Sequence, residues 1–223
     1  MRTELAIRGV IRFIAGIVIV AAMLFWPAGS WGYWNAWLLM GVLFTPILIL
    51  GIVMLIHSPA LLRKRLEGKE KEKEQRWVVA LSGVMFVASF VVAGFNFRFA
   101  WATLPDWVTW VGVAIFSLSY ILYAEVMREN TYLSRTIEIQ QDQQVIDTGL
   151  YGIVRHPMYL ATILMFLSMP LILGSIISFV IMLVYIPIIA IRIKNEEQVL
   201  EKGLRGYTQY KLRVKYKIIP FVW

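Results

Sequence analysis

Residues Trp37 to Ile56 read WLLMGVLFTPILILGIVMLI, without one charged side chain. Coiled as an α-helix, such a run reaches about 30 Å at about 1.5 Å per residue, the thickness of a bilayer's hydrocarbon core. The same reading applies on either side of it, to Ile7–Pro27, Trp77–Phe97, Trp107–Met127, Pro157–Leu173 and Ser175–Ile193. The whole 223-residue chain is 59% hydrophobic and 16% charged, with a mean hydropathy of +0.68. A soluble domain of this size needs more polar surface to cover its core. The pattern therefore predicts an all-α, polytopic membrane bundle of about six transmembrane helices. Gly174 joins the last two segments, which implies a tight helical hairpin.

Flanking residues support this assignment. Trp26, Trp31, Tyr33, Trp34 and Trp37 crowd the first connection, and Trp101, Trp107 and Trp110 the third. Aromatic rings at segment ends are what headgroup-level belts look like. The first apolar run continues to about Ala28 with no small-x-small cleavage site and polar sequel, so it reads as a retained span rather than a signal peptide.

The formal net charge is +8. In a soluble protein that would raise nucleic acid as a partner, but here the basic residues sit in short loops beside apolar segments. With six spans, one side receives Arg2, Arg8, the seven basic residues of the 58–76 loop, Arg128, Arg135, Arg155 and the tail from Arg192. The opposite side receives Arg98. This bias predicts that both termini are cytoplasmic, in contact with membrane lipids and with no role for nucleic acid. The loop from Arg63 to Arg76, RKRLEGKEKEKEQR, interleaves acids with bases; it reads as a solvated connector in preference to an anionic-lipid contact. No repeat or low-complexity tract is visible, so residues 1–223 read as a single domain, with four spans in 1–127 and the chemistry in 128–223. The sequence does not reveal the oligomeric state.

The absence of cysteine excludes disulfides, thiolate metal sites and a thiol nucleophile. His57 and His156 are the two histidines, too few for a histidine-rich metal centre. Glu125, at a span end, is a poor basis for a transport pathway.

Polar residues concentrate in three clusters of the C-terminal third. In DTGLYGIVRHPMY (147–159), Gly149 permits a turn at positive φ, and Pro157 suits the first position of a helix. Arg155 and His156 then lie at the positive end of that helix, where an anion such as an amino-acid carboxylate is favoured. In RIKNEE (192–197), Arg192 and Glu196 share one helix face, while Glu196 and Glu197 point about 100° apart. One acid can hold a ligand while its neighbour caps, pairs or faces water. The third cluster is GYTQY (206–210) followed by VKYKIIP (214–220). It reads as an amphipathic cytoplasmic helix lying against the bundle, with its tyrosines in packing roles.

TG-x-Y-x-x-x-RHP-x-Y, a short helical hairpin, R-x-x-x-EE, GY-x-x-Y and a terminal IP together resemble the isoprenylcysteine carboxyl methyltransferase family. Related phospholipid N-methyltransferases share the RHP-x-Y and double-glutamate elements. The likeness is close from Asn130 to Trp223 and is little more than hydropathy over the first three spans. It implies S-adenosyl-L-methionine as cofactor. By this likeness Gln143, Gln144, Val145, Ile146 and Tyr151 match segments that line the cofactor pocket. His156, Pro157, Met158 and Tyr159 match the helix start that holds it. Glu196, with Glu197 beside it, matches the cofactor-contacting acid, and Arg192 a basic residue beside the methyl acceptor. Arg192 and Glu196 are therefore the candidate catalytic residues, with no metal implied. Ala161 stands where many members have glycine, and Arg205 where many have proline.

The resemblance implies methyl transfer to a lipophilic acceptor entering from the bilayer, with a carboxylate favoured. If the acceptor is an amine, Glu196 or Glu197 becomes the proton acceptor. A phospholipid amine methyltransferase, a non-enzymatic membrane protein and a nicotinamide-dependent membrane reductase are the alternatives.

Overall fold

The computed structural model describes residues 2–67, 73–133 and 139–223. These form an all-helical bundle. Its elements are α1 (Arg2–Ala28), α2 (Trp34–His57), α3 (Pro59–Glu67), α4 (Lys73–Phe99), α5 (Asp106–Glu129), a 3-10 turn (Gly149–Gly152), α6 (Pro157–Ile172), α7 (Ile176–Met182), α8 (Tyr185–Gly203) and α9 (Tyr207–Arg213). Arg135 lies outside the described residues, as does the Gly68–Glu72 part of the basic loop; the loop's start is helical, as α3.

Thr3–Ala28, Trp34–His57, Arg76–Phe99, Asp106–Glu129 and Ile176–Gly203 are long and apolar enough to cross a membrane. The segment predicted over Pro157–Leu173 forms α6, an apolar helix of 16 residues, about 24 Å long at about 1.5 Å per residue. The chain is an integral multi-pass membrane protein.

The segment predicted over Ser175–Ile193 is interrupted at Leu183–Val184. Pro187 explains the break: it has no N–H for the carbonyl of Leu183, and its ring would clash with that carbonyl in a continuous helix. Beyond the break, α8 runs ten residues past the expected end, to Gly203.

Polar side chains pin the end of the bundle away from the candidate site. Tyr33, buried in the first connection, donates to the Leu173 carbonyl at 2.7 Å. Asn35 donates to Thr109 Oγ1 at 3.0 Å and to the Ile172 carbonyl at 2.8 Å, tying α2 to α5 and α6. Here Gly112 of α5 meets α6 so closely that a Cβ would lie 2.9 Å from the Ile172 nitrogen. At Gly174 the chain turns at φ +69°, and the Gly174 carbonyl accepts from Leu104 N–H at 2.9 Å. Farther along the bundle, Ser178 Oγ donates to the Ser89 carbonyl at 2.7 Å, locking α7 against α4. The core between these contacts is aliphatic and aromatic, with Leu24, Leu39, Phe116, Ile172, Met182 and Ile193 almost wholly enclosed.

Candidate functional site

At the opposite end, the chain leaves α5 and returns to α6 through the 3-10 turn. Gly149 enters that turn at φ +53°, and a Cβ there would collide with the Glu129 carboxylate. That carboxylate accepts from Leu150 N–H at 2.9 and 3.2 Å, so the end of α5 anchors the turn. Tyr151 follows, buried, with its hydroxyl accepting from Asn130 Nδ2 at 3.0 Å. Burial pushes the Tyr151 phenol well above its ordinary range, so it stays protonated.

Pro157 occupies the first turn of α6, as its missing N–H predicts. The two residues before it pair with the C-terminal segment: Arg155 N–H donates to the Tyr216 carbonyl at 3.0 Å, and His156 N–H to the Lys217 carbonyl at 2.7 Å. This places Arg155 and His156 beside α8 and buries both to 5% exposure.

Their anion is supplied by the protein itself. Arg155 Nε donates to Glu197 Oε1 at 2.7 Å, and His156 Nε2 lies 3.1 Å from the same oxygen. Arg155 Nη1 also donates to the carbonyls of Val214 and Lys215, at 2.6 and 2.8 Å. Lys211 Nζ stands 3.4 Å from Glu197 Oε2. Buried charges are tolerated only when paired and hydrogen-bonded in this way. The cluster fastens α6, α8, α9 and the C-terminal segment together.

Glu196 points elsewhere, as the angle between adjacent helical residues requires. Its Oε2 accepts from the Tyr159 hydroxyl at 2.5 Å, and that hydroxyl accepts from Arg192 Nε at 2.9 Å. This Arg192–Tyr159–Glu196 chain borders a cleft that encloses about 850 Å³, its open mouth included.

Gln143, Gln144, Val145, Ile146, Tyr151, His156, Met158, Tyr159, Arg192 and Glu196 line the cleft, so ten of the residues named from the sequence meet at one place. Pro157 and Glu197 do not line it. Pro157 is buried at the helix start, and Glu197, placed beside the cofactor by the resemblance, is engaged with Arg155 and His156. Asn130, Leu133, Leu204, Tyr207 and Tyr210 also form the wall and were not singled out as site residues. GY-x-x-Y was the available signal for the two tyrosines, and packing explained it equally well from sequence alone. Among the described residues no group of three or more metal-ligating side chains occurs.

A second cavity abuts the first. It lies among α4, α5, α6 and α8, lined by apolar Val78, Val79, Phe86, Phe166 and Ile189, with Ser82, Tyr123, Thr162 and Tyr185 among its polar groups. Met158, Tyr159 and Arg192 line both spaces. A polar cleft at the bundle end thus meets an apolar cavity between membrane helices across three side chains.

The chain resembles the mouse (Mus musculus) Delta(14)-sterol reductase TM7SF2, with 34% identity over 91 residues, covering 40% of this chain. The aligned part is 22% of that protein's length, so the chain spans about a fifth of the relative it matches. Residues 107–205, which carry α5, the turn, the α6–α8 hairpin and Glu196, match the phospholipid methyltransferase family model.

Proposed function

We propose that this protein transfers a methyl group from S-adenosyl-L-methionine to the carboxylate of a lipophilic acceptor that enters from the bilayer. The observation that carries the reading is the meeting of the polar cleft and the apolar cavity at Met158, Tyr159 and Arg192. In this reading residues 1–127 build the membrane scaffold and 128–223 the catalytic region, with cleft and termini facing the cytoplasm.

The cleft's chemistry suits the cofactor. Glu196 offers an acceptor for an ammonium or a diol, and Tyr151 and Tyr159 offer faces to a cation and an adenine ring. The cofactor supplies a methyl group on a positively charged sulfur. Everything else falls to the chain: Gln143–Ile146, Tyr151, His156, Met158 and Glu196 hold the donor side, and Arg192 orients the acceptor. An acceptor carboxylate is already ionised, so no side chain must remove a proton. Arg192 can hold one carboxylate oxygen by a charge-assisted hydrogen bond while the other faces the cleft. Among the described residues no acidic side chain lines the apolar cavity and Arg192 does, which favours an anionic over a cationic reactive end. The Tyr159 hydroxyl positions Arg192 from one side and Glu196 from the other. Alignment and exclusion of water then supply most of the acceleration.

The family match favours a second reading, in which a phospholipid amine is the acceptor and Glu196 takes its proton. The reductase likeness gives a third, a nicotinamide-dependent reduction. One experiment separates them. Purified protein in lipid nanodiscs is given methyl-labelled S-adenosylmethionine with a prenyl-thioether carboxylic acid or with phosphatidylethanolamine. Carboxyl transfer yields label released as methanol by mild alkali. Alkali-stable label in the phospholipid would establish the amine reading. Absence of label from either acceptor, with oxidation of added reduced nicotinamide cofactor in a parallel sample holding an unsaturated sterol, would sink the methyltransferase assignment.

A further inference from the structure

Two tyrosines of α9 differ in a way that the fold alone does not require. Both are buried, with ring centroids 5.7 Å apart, and both line the cleft. The Tyr210 hydroxyl donates to the Tyr151 carbonyl at 2.8 Å. The Tyr207 hydroxyl, on a side chain 4% exposed, has no hydrogen-bond partner among the described residues. A phenyl ring would fill the same space without the penalty of an unsatisfied buried hydroxyl. A group kept at that cost fits a ligand that completes its bonding.

The surroundings narrow what the ligand presents. Burial, then the nearby Glu197 and Glu196, push the Tyr207 phenol far above its ordinary range, so it acts as a donor. Its partner must therefore accept. Glu197 and Glu196 disfavour a ligand carboxylate at this hydroxyl, and Arg155 directs its Nε and Nη1 donors to Glu197 and two carbonyls. A neutral diol avoids this: one hydroxyl accepts from Tyr207 while its neighbour donates toward Glu196.

Resting on the methyltransferase reading, we propose that Tyr207 donates a hydrogen bond to a ribose hydroxyl of the adenosyl cofactor, and that the protein leaves this hydroxyl unsatisfied until the cofactor enters. Tyr207 is then a binding residue whose cost is carried by the ligand-free state.

The test combines thermal unfolding of the ligand-free protein with calorimetric titration of S-adenosylhomocysteine and of its analogue lacking both ribose hydroxyls. Ligand-free Tyr207→Phe melts at or above the parent temperature, whereas Tyr210→Phe, which strands the Tyr151 carbonyl, melts below it. Tyr207→Phe weakens S-adenosylhomocysteine binding by about fivefold to tenfold, the usual effect of one neutral hydrogen bond. The dideoxy analogue binds parent and Tyr207→Phe alike, because the partner atom is missing. Unchanged S-adenosylhomocysteine affinity in Tyr207→Phe overturns the proposal. So does a lower ligand-free melting temperature for that variant, or an equal loss of affinity for the analogue. A parent that binds no S-adenosylhomocysteine would overturn the cofactor reading as well, whereas binding that ignores Tyr207→Phe removes this inference alone.

Discussion

Helices α1 and α2 and the region from Asn130 to the C-terminus spend their side chains differently. In α1 and α2 only 11% of the membrane-length window is buried, and Ile7, Ile11, Val18, Ile49 and Ile56 face outward. Among the described residues Arg8 of α1 pairs with Glu4 one turn away, and both are exposed. In the C-terminal region Arg155, His156 and Glu197 are each 5% exposed and reach one another across some forty residues of sequence. The outer helices need only to be apolar and long enough. The site region needs each polar group matched to a particular partner, because a buried charge without one is unaffordable. Substitutions that remove a paired polar group should therefore be tolerated in the first region and not in the second.

The largest contrast is electrostatic. Glu197→Ala leaves Arg155 and His156 buried beside an empty space and should cost about 3–5 kcal/mol, or prevent folding. Glu4→Ala, which removes an exposed pair, should leave the melting temperature unchanged. Thermal unfolding of the two variants in one detergent measures the difference, and equal effects would break the comparison.

Glycines sharpen it at the next level. Gly149→Ala forces a side chain into left-handed backbone and against the Glu129 carboxylate, at about 2 kcal/mol. Gly51→Ala in α2 meets open space within 4 Å and should be neutral or stabilising by up to about 1 kcal/mol. Among the costs expected in the site region the smallest is that of Tyr210→Phe, which removes a single hydrogen bond and should cost about 1 kcal/mol. The same unfolding assay ranks all three.

This contrast also explains what could be read from the sequence. Spans were legible because hydropathy is a local property, and Pro157 at a helix start and Gly149 in a turn follow from backbone geometry alone. The divergence of Glu196 and Glu197 follows from helical pitch, and one glutamate indeed faces the cleft while its neighbour pairs inward. The break before α8 was legible in principle from Pro187 but was masked by the continuous apolar run. The partners of Glu197 were not legible, since no local rule brings residue 155 to residue 197. Nor was the use of Tyr207 and Tyr210 as cleft walls, which depends on the C-terminal segment pairing with residues 155 and 156.

The central claim is that donor cleft and acceptor cavity are separate spaces that meet at Tyr159 and Arg192. Calorimetric titration of S-adenosylhomocysteine into the parent, Glu196→Gln and Val79→Trp tests it most directly. Glu196 lines only the cleft, and Val79, half exposed, only the cavity. The account predicts binding by the parent, affinity at least about tenfold weaker in Glu196→Gln from loss of a charged acceptor, and parental affinity in Val79→Trp. A well-folded parent that does not bind, or a Val79→Trp variant weakened as much as Glu196→Gln, would contradict it.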